Sequence, residues 1–82
     1  MNTAQVPATI AGLIEEIAPD VEVAALDPDV DLRRAADLDS LDFQSLVELV
    51  ARDTGVDIPE ADYPRVRSLR GLTDYVAAHL AT

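Results

Sequence analysis

The chain contains no cysteine and no tryptophan, and only one Phe and two Tyr. Without thiols there can be no disulfide, no thiolate metal site and no cysteine nucleophile. With so few rings, 82 residues must build their one small core from Ala, Val, Leu and Ile. Lysine is also missing, because all six basic residues are Arg; they stand against sixteen acids, for a formal net charge of −10. Such a field helps solubility, repels nucleic acid and anionic membranes, and attracts proteins with basic docking patches. No apolar run approaches the length needed to cross a bilayer. The opening residues do not resemble a signal peptide, since Glu15 and Glu16 interrupt the apolar positions and no basic region precedes them. The expectation is one domain over residues 1–82, monomeric and cytoplasmic, binding neither nucleic acid nor membrane.

What is present reads as an all-α chain. Val6, Ile10, Leu13, Ile14 and Ile17 fall at helical spacing, predicting a first helix over 3–18 with Pro7 tolerated in its opening turn. Pro19-Asp20 ends it. From Val21 to Leu38 the pattern is irregular and Asp27-Pro28-Asp29 marks a turn. This stretch reads as a long loop pinned to the core by Val23, Leu26, Val30 and Leu32, and loops of that length are commonly functional. A second helix starts at Asp39 or Ser40, with Asp39 as N-cap and Asp42 placed for the positive end of the helix dipole. Leu46, Val47, Val50 and Thr54 make its buried face, Leu49 lies at the edge, and Gly55 stops it. After the extended link Val56-Asp57-Ile58-Pro59, residues 60–63 have room for a brief helical turn before Pro64. Ser68 caps a last helix that buries Leu69, Leu72, Tyr75, Val76 and Leu80. The expected architecture is a small bundle of three main helices plus one short helix, with a long loop between helices one and two.

Reactive constellations are scarce. Asp27, Asp29 and Asp31 alternate like the opening of a calcium loop, but the sixth position is Leu32 and the twelfth Leu38, so the turn glycine and the bidentate acid are both missing. They read as solvated acids. The lone His79 reads as a surface histidine. Asp39-Ser40-Leu41 echoes a serine-esterase motif, yet no catalytic histidine or oxyanion-hole residues accompany it. An enzyme is not expected. A serine hydroxyl without a supporting base is a weak nucleophile, but it is a good point for another enzyme to attach a group. In isolation an Asp-Ser pair would be a helix cap and nothing more. Here it follows a long acidic loop and opens an amphipathic helix.

In that setting the stretch from Leu26 to Leu80 resembles the acyl carrier proteins. Asp39-Ser40-Leu41-Asp42 matches the family's Asp-Ser-Leu attachment motif, and the likeness continues through Gly55, Ile58-Pro59 and Leu72-Thr73-Asp74-Tyr75-Val76. The spacing from Ser40 to Ile58-Pro59 agrees without a gap. The resemblance implies that a phosphopantetheinyl transferase joins the 4′-phosphopantetheine arm of coenzyme A to the Ser40 hydroxyl. An exposed first-turn residue suits this, because free helix N–H groups and the dipole favour a phosphodiester anion. Asp39 would repel that phosphate, so its expected roles are capping the helix and meeting cations on the transferase. The arm brings its own thiol, which explains how a chain without cysteine would carry a thioester. The carrier would pass acyl intermediates between loading and processing enzymes with basic docking patches.

Leu41 and Phe43 are expected to be partly exposed and to give partners an apolar foothold, although Phe43 also lies three residues before Leu46 on the core face, where burial is the alternative; Asp42, Ser45, Glu48 and Arg52 complete the expected docking face. Ser45 stands where Glu is common in the family, Arg52 adds a positive charge, Thr54 replaces a frequent Phe, and Ala36-Asp37 replaces Leu-Gly. Arg33-Arg34 are a further departure. These changes fit a carrier of a specialised pathway at least as well as one of primary fatty acid synthesis; polyketide, lipid-modifying and aminoacyl loading are all open. Two other readings remain beside it: an aminoacyl or peptidyl carrier, against which Asp39 argues mildly, and an unmodified interaction protein that keeps the fold.

Overall fold

The structure, a computed structural model, describes residues 1–80; positions 81 and 82, the end of the expected domain, lie outside it. The chain enters through a 3₁₀ turn, Thr3–Gln5, and continues as α1, Val6–Ile17. The expected helix over 3–18 is therefore two pieces. Pro7 has no N–H with which to reach the carbonyl four residues back, so the α pattern cannot extend into the residues before it. One side of α1 buries Val6, Ile10, Leu13 and Ile14.

Residues 21–38 are not the continuous loop that the irregular pattern suggests. They hold a 3₁₀ turn, Val23–Ala25, and a one-turn helix α2, Leu32–Ala35. Asp31 makes α2 possible: its carboxylate accepts the Arg33 N–H at 2.9 Å, and the turn drives Leu32 fully into the core. Val23 is buried as expected and Leu26 packs half-buried against the core, but Val30 is only half-buried. It follows an Asx turn in which Asp27 Oδ1 accepts the Asp29 N–H. Ala36 and Leu38 take the burial instead.

The segment is tied to the far end of the chain. Leu32 N–H donates to the Arg67 carbonyl (2.6 Å), Arg70 N–H donates to the Pro28 carbonyl (2.9 Å), and Asp31 pairs with Ser68 in an isolated antiparallel bridge. An exposed Arg70–Asp29 ion pair (2.6 Å) closes the same junction.

α3, Ser40–Thr54, is the second helix expected from the sequence. It ends in a left-handed Gly55 at φ 75°, whose N–H returns to the Ala51 carbonyl. Thr54, in the position of the family's frequent Phe, is half-buried and fully bonded: its hydroxyl donates to the Val50 carbonyl and accepts the Val56 N–H.

The short helix runs from Glu60 to Val66, as a 3₁₀ helix, and does not stop at Tyr63. Continuing past Pro64 forfeits one backbone donor but buries Val66 completely and sets Tyr63 edge-on against Phe43, which offsets the loss. α4, Leu69–His79, starts from Ser68, whose hydroxyl accepts the Gly71 N–H (3.0 Å). It lies so close to the 3₁₀ helix that a Cβ on Gly71 would come within 2.5 Å of the Arg65 carbonyl oxygen. α1 packs against both α3 and α4, and the core lies between them. Among the described residues no helix is long and apolar enough to cross a membrane, and no buried side-chain N or O atom lacks a partner.

Candidate functional site

The first turn of α3 is held by a closed capping box. Asp39 adopts an extended conformation (φ −86°, ψ −178°) and its Oδ1 accepts the Asp42 N–H at 2.8 Å; Asp42 Oδ2 accepts the Asp39 N–H at 3.3 Å. Of the donors that a helix start leaves open, those of Ser40 and Leu41 engage no acceptor among the described residues. Two carboxylates thus flank Ser40, both committed to backbone.

Ser40 is exposed, and among the described residues no hydrogen bond engages its hydroxyl. His79 is exposed on α4, stacked on Tyr75 with ring centroids 4.0 Å apart and its Nδ1 2.8 Å from the Tyr75 carbonyl oxygen. The site offers an exposed primary alcohol at the start of α3.

Leu41 projects beside it and is 71% exposed. Phe43 corrects the expectation made for it. Only 6% of it is exposed, and its ring meets Tyr63 edge-to-face with centroids 5.6 Å apart. Three residues before Leu46, it belongs to the same inward face of α3, and a lone phenyl ring in an aliphatic core is worth more buried than wet.

Ser45 and Glu48 are exposed on α3. Arg52 is exposed too, but it is not a free cation: its guanidinium holds Asp53 at 2.7 Å and Glu16 of α1 at 3.5 Å. Asp27 closes an Asx turn, Asp29 pairs with Arg70 and Asp31 caps α2, so all three alternating loop acids have structural work. Among the described residues no group of His, Cys, Asp or Glu is arranged to hold a metal ion.

Ser40 opens onto a cleft of about 330 Å³ between α2, α3 and the 3₁₀ helix, lined by Arg33, Ser40, Phe43, Gln44, Glu60 and Tyr63. Sequence reasoning marked Arg33 as unusual without placing it, and it did not find Gln44, Glu60 or Tyr63. These residues lie up to 30 positions apart, Arg33 to Tyr63, and only the α2 turn and the 3₁₀ helix bring them together. The one signal available was a pair of adjacent arginines in a strongly acidic chain.

A family model described as "Phosphopantetheine attachment site" matches residues 8–76. No curated protein matches the chain.

Proposed function

This chain belongs to the phosphopantetheine attachment-site family, and from that premise we propose that it carries acyl intermediates on an arm joined to Ser40. The group bound by the family is 4′-phosphopantetheine, which when attached supplies a flexible chain ending in a thiol. The residues present fit it. A hydroxyl that is exposed, unbonded and fixed on the first turn of α3 is the observation that carries the reading.

In the attachment step the Ser40 Oγ forms a new P–O bond to the phosphorus bearing the pantetheine. The P–O bond of the coenzyme A pyrophosphate breaks and adenosine bisphosphate leaves. The hydroxyl proton passes to a base of the phosphopantetheinyl transferase. Leu41 offers the transferase and later enzymes an apolar contact, and the acids around it suit basic docking patches. The cargo classes we favour are those of fatty acid, polyketide or related specialised biosynthesis.

Intact-mass analysis after incubation with coenzyme A and a broad-specificity transferase tests this. We expect one phosphopantetheine of added mass on the native chain and none on Ser40→Ala. No gain on the native chain, or an equal gain on the variant, overturns the assignment.

A further inference from the structure

The cleft beside Ser40 has opposite charges on its two walls: Arg33 stands on the α2 side and Glu60 on the 3₁₀ side. Four of the six arginines, Arg33, Arg34, Arg65 and Arg67, make no ion pair among the described residues, and of these only Arg33 lines the cleft. Arg52 and Arg70 are held by carboxylates, and Arg65 lies over the Tyr75 ring at 5.3 Å. Among the described residues Arg33 makes no ion pair, although the chain has sixteen acids to six cations. An unpaired guanidinium in such a chain, sharing a cleft with the attachment serine, has an anion to wait for.

The need for a cation there follows from the capping box. A phosphodiester on Ser40 Oγ carries one negative charge and sits between the Asp39 and Asp42 carboxylates, one on each side in sequence. Asp39 also takes the Asp42 N–H, one of the helix donors that would otherwise face the phosphate. The donors of Ser40 and Leu41 are left to oppose two full negative charges. Resting on the assignment of Ser40 above, we propose that Arg33 is a positioning residue that pairs with the phosphodiester of the Ser40-linked arm and holds it at the α2 edge of the cleft.

The rest of the lining sets the direction of the arm. Glu60 repels the phosphate from the opposite wall, so the charged end has one favourable side. Gln44 presents an amide that can bond to the neutral amides further along the arm, and the rings of Phe43 and Tyr63 supply apolar surface between. A guanidinium suits this role because its planar fork of donors matches two phosphate oxygens at once. α2 aims Arg33 because Asp31 fixes the turn through the Arg33 N–H itself.

The test uses the protein before and after loading, with conversion followed by intact mass. The arginine Nε–H resonances and the phosphorus resonance of the arm are recorded by NMR. On full conversion the Arg33 Nε–H signal should shift and exchange more slowly with solvent, while that of Arg34 stays in place. The phosphorus resonance of loaded Arg33→Gln should move towards that of free phosphopantetheine, and that of loaded Arg34→Gln should match the native chain. Raising salt to 1 M should bring the native phosphorus signal towards that of Arg33→Gln, because screening shortens to about 3 Å. An unmoved Arg33 signal at full conversion, or equal effects of the two substitutions, overturns the proposal while leaving Ser40 as the attachment point. Absence of any mass gain overturns the Ser40 assignment itself, and this proposal with it.

Discussion

Asp39 and Asp42 exchange hydrogen bonds across the first turn of α3, each carboxylate accepting the other's backbone N–H, at 2.8 Å and 3.3 Å. The pair fixes where the helix begins and so where Ser40 points. It satisfies two backbone donors beside the Ser40 hydroxyl without covering it.

Asp39→Ala should therefore loosen this helix start. Loss of an N-cap acceptor costs about 0.5–2 kcal/mol, which in a domain of this size lowers Tm by roughly 4–8 °C per kcal/mol. Asp39→Asn keeps an acceptor oxygen and should lose less. Thermal unfolding followed by circular dichroism checks the order; an Asn variant as unstable as the Ala variant would mean that charge and not capping is at stake.

Leu41 and Phe43 should separate cleanly. Phe43→Ala removes a buried ring packed on Tyr63 and should cost about 3–5 kcal/mol, a large share of the stability of so small a domain. Leu41→Ala, at an exposed position, should stay within about 0.5 kcal/mol yet slow loading by the transferase. Urea titrations and loading rates on the same two variants measure both effects. A destabilised Leu41→Ala with native loading would reverse the assignment.

Asp37 sits at φ 54°, in the left-handed region that favours glycine, where the resemblance to the carrier family expects Gly. Aspartate tolerates this conformation better than most residues, so the departure is affordable. Asp37→Ala should cost less than about 1 kcal/mol, since both residues carry a Cβ and alanine lacks only the short polar side chain that eases aspartate into this region. Asp37→Gly should be neutral or stabilising by less than that. Equal midpoints for the two variants in urea would show that the backbone angle does not matter there.

The Asp29–Arg70 pair gives a pH signature. The hydrogen bond from the Arg70 guanidinium holds the Asp29 carboxyl below its ordinary value of 3.8, partial desolvation opposes this, and the direct charge attraction adds to the lowering. A carboxyl that is more acidic in the folded chain contributes stability above its unfolded value and loses that contribution as pH falls through its folded value. Carbon-detected NMR titration should place the Asp29 midpoint below 3.8 in the native chain and return it towards 3.8 in Arg70→Gln. An unchanged midpoint in the variant would show that the pair does not persist in solution.

The parts of this molecule that could be read from the sequence are those set by neighbours along the chain. Asp39, Gly55 and Ser68 act within three or four residues of themselves, so the starts of α3 and α4 and the stop of α3 were legible. The Ser40 motif was legible for the same reason. What was not legible depends on residues that meet only after folding. Asp31 and Ser68 bridge across 37 positions, and Val66 is buried between Pro64 and Ser68, where no periodic pattern announces it. Phe43 was ambiguous because its spacing to Leu46 and its closeness to Ser40 pointed in opposite directions; burial against Tyr63 decided it. The cleft had no sequence signature, since its walls come from three elements.

Arg52 was expected to alter the docking face by adding a positive charge, but its ion pairs make the effect larger and more local. The guanidinium bonds Asp53, which it holds below the ordinary carboxylate value first through that hydrogen bond, and it also reaches Glu16 on α1. One arginine therefore masks two carboxylates that a basic partner would otherwise meet. Arg52→Gln frees both and should tighten binding to an enzyme with a basic docking patch. An exposed pair contributes little, so the expected gain in Kd is modest, of about a few-fold. It should fade as salt rises, because exposed charges are screened over about 10 Å at 0.1 M. Calorimetric Kd values for native chain and variant, at two salt concentrations, measure this. If Arg52→Gln weakens binding instead, Arg52 itself contacts the partner, and the partner then presents an acid on that part of its surface.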